Sequence, residues 1–222
     1  MKSLFKRHQE KEVSGSDLVH DEDETWNGTE TEQSFQSDIT GQTPESRIVH
    51  VQYQDYWNQH TTIRLLDTDQ TTVMYTVEAR YRKPQMTIRS NASNAEVATV
   101  DFHVLTTRID MRLHGQPLSL DSSGLLKTHY SYASQELHGE KMTWRPRKKI
   151  DDLNMVLLDG QGLAMARYKP NYKGLKRGGT LELLSPCWRS DAVLEEVIVM
   201  FLAVMHYKEC LRMNAAIASG TA

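Results

Sequence analysis

Asp191–Met213, DAVLEEVIVMFLAVMHYKECLRM, decides how the rest of the chain is read. Its middle, Val197–Met205, is apolar at every position. A helix resting on a surface shows one apolar stripe, whereas a helix that is apolar all round is buried all round. A run of apolar, β-branched residues also suits a buried strand, and periodicity alone does not separate the two. Length and ends do. The stretch far exceeds a typical strand of about 5–6 residues. Asp191 is placed to act as N-cap, Glu195 and Glu196 lie near the positive end of the helix dipole, and Lys208 and Arg212 lie toward the negative end. The apolar run falls well short of the roughly 20 residues that span a bilayer, and charges flank it tightly on both sides. The expectation is a core helix over 191–213, not a transmembrane segment.

Working outward toward the start of the chain, the sequence changes to strand alternation. In Thr72–Arg82, Val73, Tyr75, Val77, Ala79 and Tyr81 share one face, and Met74, Thr76, Glu78, Arg80 and Arg82 the other. Arg108–Leu113 sets Ile109, Met111 and Leu113 against Arg108, Asp110 and Arg112. This is the period of two expected when one face of a sheet is buried. Further strands are expected at 48–53, 62–66, 85–89, 97–105, 118–120, 127–133, 141–146 and 180–184. Leu153–Leu158 and Leu163–Lys169 flank Asp159-Gly160-Gln161-Gly162, a hairpin signal because Asp and Gly tolerate positive φ.

About a dozen short strands at this spacing point to an all-β barrel or sandwich. A helix with its side chains is about 10–12 Å across. Eight-stranded barrels are filled by their own side chains, whereas 11-stranded cans enclose a helix. A sandwich leaves an all-round apolar helix short of apolar partners. The expected fold is therefore mainly β: an antiparallel closed barrel of about twelve strands around a buried C-terminal helix, spanning 46–215. A polar, acidic tail is expected over 1–45 and a flexible end over 216–222.

The run Met142-Thr143-Trp144-Arg145-Pro146, then Leu153–Asp159, Gly162–Tyr168, Gly179-Thr180-Leu181-Glu182-Leu183 and the apolar terminal helix resembles the tubby C-terminal-like superfamily. Within it, the chain is most similar to fungal tubby-like proteins of unassigned function. The resemblance is best over Tyr130–Met213 and rests mainly on strand order over Ile48–Leu120. It implies a twelve-stranded closed barrel threaded by a C-terminal apolar helix, in agreement with the reading above. The superfamily also holds phosphoinositide-binding tubby proteins, LURP-one-related proteins and phospholipid scramblases. The acidic calcium segment of scramblases would precede the terminal helix, where this chain has Leu184–Ser190 and no acidic cluster. Scrambling is therefore not expected, and no binding site transfers residue by residue.

Charge is uneven along the 222 residues. Through Glu45 there are four basic and eleven acidic residues, leaving 22 of the 26 basic and 18 of the 29 acidic residues for the remainder. An acidic tail thus precedes a mildly basic domain. The tail holds few large apolar residues and buries too little surface to offset the entropy of ordering, so it is expected to be disordered. Two cysteines, Cys187 and Cys210, do not make a disulfide framework and suit a reducing compartment. Met1–Ser14 has no apolar core of the signal-peptide kind. The expected location is cytoplasmic, peripheral to a membrane, or nuclear.

No enzyme motif is found: neither a nucleophile elbow, nor a phosphate loop, nor His-Glu-x-x-His. No catalytic residue, metal ligand or cofactor is expected. His103 and His129 on strands are more often surface or hydrogen-bonded histidines than ligands. Cys187 beside Trp188 and Arg189 suits a lowered-pKa thiol less well than an inert buried one. The suggestive feature is basic: Arg145, Arg147, Lys148 and Lys149, then Lys173, Lys176 and Arg177 before the last strand. Brought to one end of a barrel, these residues make a cationic patch for anionic headgroups, each worth about 1 kcal/mol near an acidic membrane. The bland alternative is a mixed solvated surface diluted by Asp151, Asp152 and Asp159. Nucleic acid is not expected, since no aromatic platform interleaves the charges. The expected function is non-enzymatic binding of anionic phospholipid, such as a phosphoinositide, with a protein-interaction scaffold as the alternative.

Overall fold

A computed structural model describes residues 46–54, 60–80, 82–103, 107–123, 128–148, 151–171, 178–188 and 190–220. The expected tail, 1–45, lies outside them. Twelve strands follow in order: β1 (Ser46–Gln54), β2 (His60–Leu66), β3 (Val73–Arg80), β4 (Met86–Ser90), β5 (Glu96–Phe102), β6 (Ile109–Leu113), β7 (Gln116–Ser123), β8 (His129–Ala133), β9 (Lys141–Lys148), β10 (Asp151–Leu158), β11 (Ala164–Pro170) and β12 (Gly178–Leu184). Each pairs antiparallel with its neighbours in sequence, and β1 pairs with β12, so the sheet closes into a barrel. A one-turn helix α1 (Ser185–Trp188) leads into α2 (Asp191–Ala218). Pro186 sits in the first turn of α1, where a missing N–H costs nothing.

Alternation fixes which faces turn inward. Tyr75, Val77 and Ala79 of β3 and Ile109, Met111 and Leu113 of β6 are buried. In the β10–β11 turn the Asp159 carboxylate accepts from the N–H groups of Gln161 (2.9 Å) and Leu163 (2.8 Å). The turn needs positive φ at Gly162 (+83°) and not at Gly160.

The seam between β1 and β12 runs in register from Ser46 opposite Leu184 to Gln52 opposite Gly178. Gly178 allows this approach, since a Cβ there would run into the Val51 carbonyl oxygen; on the other side of β12 a Cβ on Gly179 would lie 2.5 Å from the Lys169 carbonyl oxygen of β11.

Helix α2 fills the barrel. Every residue from Val197 to Met205 is at most 1% exposed. Phe201 packs against Tyr168 and Trp144, with ring centroids at 4.6 and 5.6 Å. Each large apolar side chain buried this way contributes about 1.5–3 kcal/mol. The cap is Ser190, whose carbonyl accepts from the Leu194 N–H at 2.9 Å; Asp191 is the first helical residue and not the N-cap. The helix runs to Ala218, past the expected end at Met213, because Ala215–Ala218 favours helix and the first strong breaker is Gly220.

Candidate functional site

The meander has two ends of opposite character. The even strands end, and the entry into α2 lies, at one end; the odd strands end at the other. At the entry end, the Glu195 carboxylate accepts from the Tyr75 hydroxyl (2.9 Å) and pairs with His114 Nε2 (2.5 Å). These tie the first turn of α2 to β3 and to the β6–β7 turn. Arg47, Tyr75, His114, Glu136, Asp191 and Glu195 line a surface cleft of about 550 Å³. Arg47 is held by Asp67 (2.8 and 3.2 Å). Burial and the neighbouring Glu195 push the Tyr75 phenol well above its ordinary value.

The next residue of α2, Glu196, 1% exposed, accepts from the backbone N–H groups of Gln135 (2.9 Å) and Glu136 (3.1 Å). It anchors the β8–β9 connection to the helix. Burial, then Glu196, push the nearby Cys187 thiol up to about 12. Cys187 is a free, buried cysteine and not an activated thiolate.

The other end is where the basic residues gather. Arg145, Arg147 and Lys148 lie on β9, Arg145 half-buried and the other two exposed. Lys148 pairs with Asp151 in the β9–β10 ladder. The next residue, Asp152, reaches the helix: its carboxylate lies 3.6 Å from Arg212 Nε and 4.0 Å from Lys208 Nζ. The ends of β9 and of α2 therefore share one rim. Lys149, Lys173, Lys176 and Arg177 lie outside the described residues. The strand ends that flank them, Lys148 and Asp151, then Asn171 and Gly178, belong to odd-to-even connections and so to this same rim.

Lys208 is 3% exposed, and its ammonium stands over the Tyr130 ring at 5.7 Å. Burial lowers its pKa; Asp152 raises it and Arg212 lowers it further. His129, on β8, is lowered by burial and then by Arg145 and Lys208. His206, one turn before Cys210 on α2, is pushed down to about 4 by burial and faces the Cys210 sulfur at 3.5 Å. His103 pairs with Asp110 at 2.7 Å. Among the described residues no group of three or more His, Cys, Asp or Glu side chains is arranged to hold a metal ion. None of the described helices is long and apolar enough to cross a membrane.

Sequence reasoning singled out Arg145, Arg147 and Lys148 but missed Lys208, Arg212 and Glu196 as site residues. It read those three as helix-end charges, and nothing local reveals that they meet Asp152 or the β8–β9 connection.

A family model described as a family of unknown function, DUF6593, matches residues 57–209. The chain belongs to the DUF6593 family. The match takes in β2 to β12 and α2 through Glu209, so Lys208 and Asp152 fall inside the DUF6593 region, and β1 and Arg212 outside it. No curated protein and no solved structure matches the chain.

Proposed function

We propose that this DUF6593 chain is a non-enzymatic domain of tubby C-terminal-like kind that docks on anionic phospholipid surfaces through the rim where α2 leaves the barrel. The observation that carries this reading is the convergence of Arg145, Arg147 and Lys148 with Arg212 on one rim. Each basic residue beside an anionic bilayer contributes about 1 kcal/mol. The tubby reading draws its support from the closed twelve-stranded barrel around an apolar helix, the architecture that the resemblance implies.

Co-sedimentation with phosphatidylserine vesicles tests the proposal. Arg147→Glu with Lys148→Glu removes two favourable charges, worth about 2 kcal/mol, and weakens binding roughly 30-fold or more. Raised salt weakens the wild type in the same direction. Vesicle binding that ignores both changes removes the rim from the account, and absence of vesicle binding leaves the protein-scaffold role.

A further inference from the structure

Helix α2 runs on past the end of the barrel. Lys208 closes its buried stretch; Glu209, Cys210 and Met213 are half-buried, Leu211 is 41% exposed, and Arg212, Asn214 and Ala215 are exposed. Among the described side chains none beyond Lys208 is buried. From Leu211 to Ala218 the helix extends about 12 Å at its rise of 1.5 Å per residue. It has a formed end: the Ser219 N–H donates to the Ala215 carbonyl at 3.0 Å, and Gly220 takes a positive φ of +68°, as a left-handed cap does. The composition changes at the same place. Arg212 is the last charged side chain of α2, and Met213–Ala222 carries none. The exposed large apolar side chains among the described residues are Ile48, Leu163 and Leu211. Leu163 lies in the β10–β11 turn and Ile48 near the start of β1, both toward the entry end, so Leu211 alone of these three stands by the basic rim.

We infer that residues 211–218 of α2 enter the interfacial layer of an anionic bilayer, with Arg212 at the level of the lipid phosphates. The inference rests on the rim reading above and adds an apolar contact to it. Charge complementarity names the occupant. Arg145, Arg147, Lys148 and Arg212 surround the base of the extension, and the carboxylates of this rim lie behind its tip: Asp151 sits opposite Lys148, and Asp152 stands 3.6 Å from Arg212 Nε. A second copy of the chain packed on the same helix end would bring two such sets of cations together, which like-charge repulsion opposes. Interfacial helices bury apolar surface about 5–10 Å below the headgroups, a depth within reach of the extension. The segment is far shorter than the roughly 20 residues that span a bilayer, so it enters one leaflet only. Leu211 and Ala215 are one turn apart and share a face, and the long stem of Arg212 lets its guanidinium stay among phosphates while the residues around it go deeper.

The test uses the full chain with vesicles of phosphatidylcholine and phosphatidylserine in equal parts. Leu211→Gln is expected to weaken co-sedimentation about fivefold, and Ala215→Leu to strengthen it about threefold, from the apolar surface removed or added. Both positions lie outside the core, so the melting temperature stays unchanged, and a gain of binding cannot come from misfolding. In Leu211→Trp the added indole emits further to the blue when vesicles are present and is quenched by bromine on the acyl chains, beyond the signal of the four native tryptophans. Vesicle binding that falls in Arg147→Glu with Lys148→Glu but is the same in Leu211→Gln and Ala215→Leu, with no spectral shift, overturns the inference and leaves the rim reading standing. A spectral shift and a Leu211→Gln loss, with no effect of the two charge reversals or of salt, support insertion and overturn the rim reading. A dimer in sedimentation velocity that Leu211→Gln splits, without vesicle binding, gives the segment to a second copy and overturns the inference. No vesicle binding at all overturns both.

Discussion

Phe201→Ala is the sharpest probe of the architecture. The residue sits at the centre of α2, 0% exposed, between Tyr168 and Trp144. Removing a buried phenyl ring costs about 3–5 kcal/mol when the surroundings do not collapse. Here they are held on one side by the helix and on the other by a closed sheet, so the upper half of that range applies. Part of the loss is the two ring contacts, about 0.5–1.5 kcal/mol each. Against a typical total stability of about 5–15 kcal/mol this is a large fraction. Equilibrium unfolding in urea reads it as a lower midpoint at unchanged slope. Phe201→Leu restores most of the volume and costs clearly less, and Leu211→Ala, on a half-exposed residue beyond the buried stretch, stays within about 0.5 kcal/mol. A Phe201→Ala loss below about 1 kcal/mol, or one equal to that of Leu211→Ala, refutes the enclosed helix.

Three further outcomes follow from the same coordinates. Burial holds His206 near 4, against about 6.5 in the unfolded chain, so between these values the unfolded state binds more protons and stability falls as pH falls from about 6.5 to about 4. The loss is on the order of 3 kcal/mol, and His206→Leu flattens that part of a stability-versus-pH curve; His129, also lowered, leaves a smaller residual slope. Glu196→Ala strips the acceptor from two backbone N–H groups and lowers stability by about 1.5–3 kcal/mol in chemical denaturation, with loss of amide-exchange protection at Gln135 and Glu136. Gly178→Val drives a side chain into the Val51 carbonyl and destabilises by about 3 kcal/mol or more, measured as a lowered melting temperature, while Gly115→Ala, with open space around it and only the strain of its positive φ (+78°), costs less.

The fold was legible because its signals are local and repeated. Strict alternation in β3 and β6 named the buried residues, and the unbroken apolar run 197–205 named the plug of the barrel. All twelve strands lie within a few residues of their expected places, apart from the parts that fall outside the described residues. The cap was misplaced by one residue because Ser190 and Asp191 are both good caps and only backbone geometry separates them. The candidate site was legible only in half. A cluster such as Arg145–Lys148 is visible because its members are neighbours in sequence. The pairing of Asp152 with Lys208 and Arg212 joins residues from β10 and the far end of the helix, and such a meeting depends on strand tilt and helix rotation, which no local pattern encodes.

The wiring of this barrel has a consequence during synthesis. Eleven of the twelve ladders join strands that are neighbours in sequence, but the last ladder joins Ser46 to Leu184, and the plug follows Leu184 in the chain. Until that plug arrives, a curled sheet stands open with Trp144, Tyr168, Met155 and their neighbours facing water on its concave side. Closing first would shut the helix out, and closing last requires the open sheet to survive. The nascent chain is thus most prone to stick to itself, and most in need of a chaperone, in the interval after β12 has been made and before α2 has emerged.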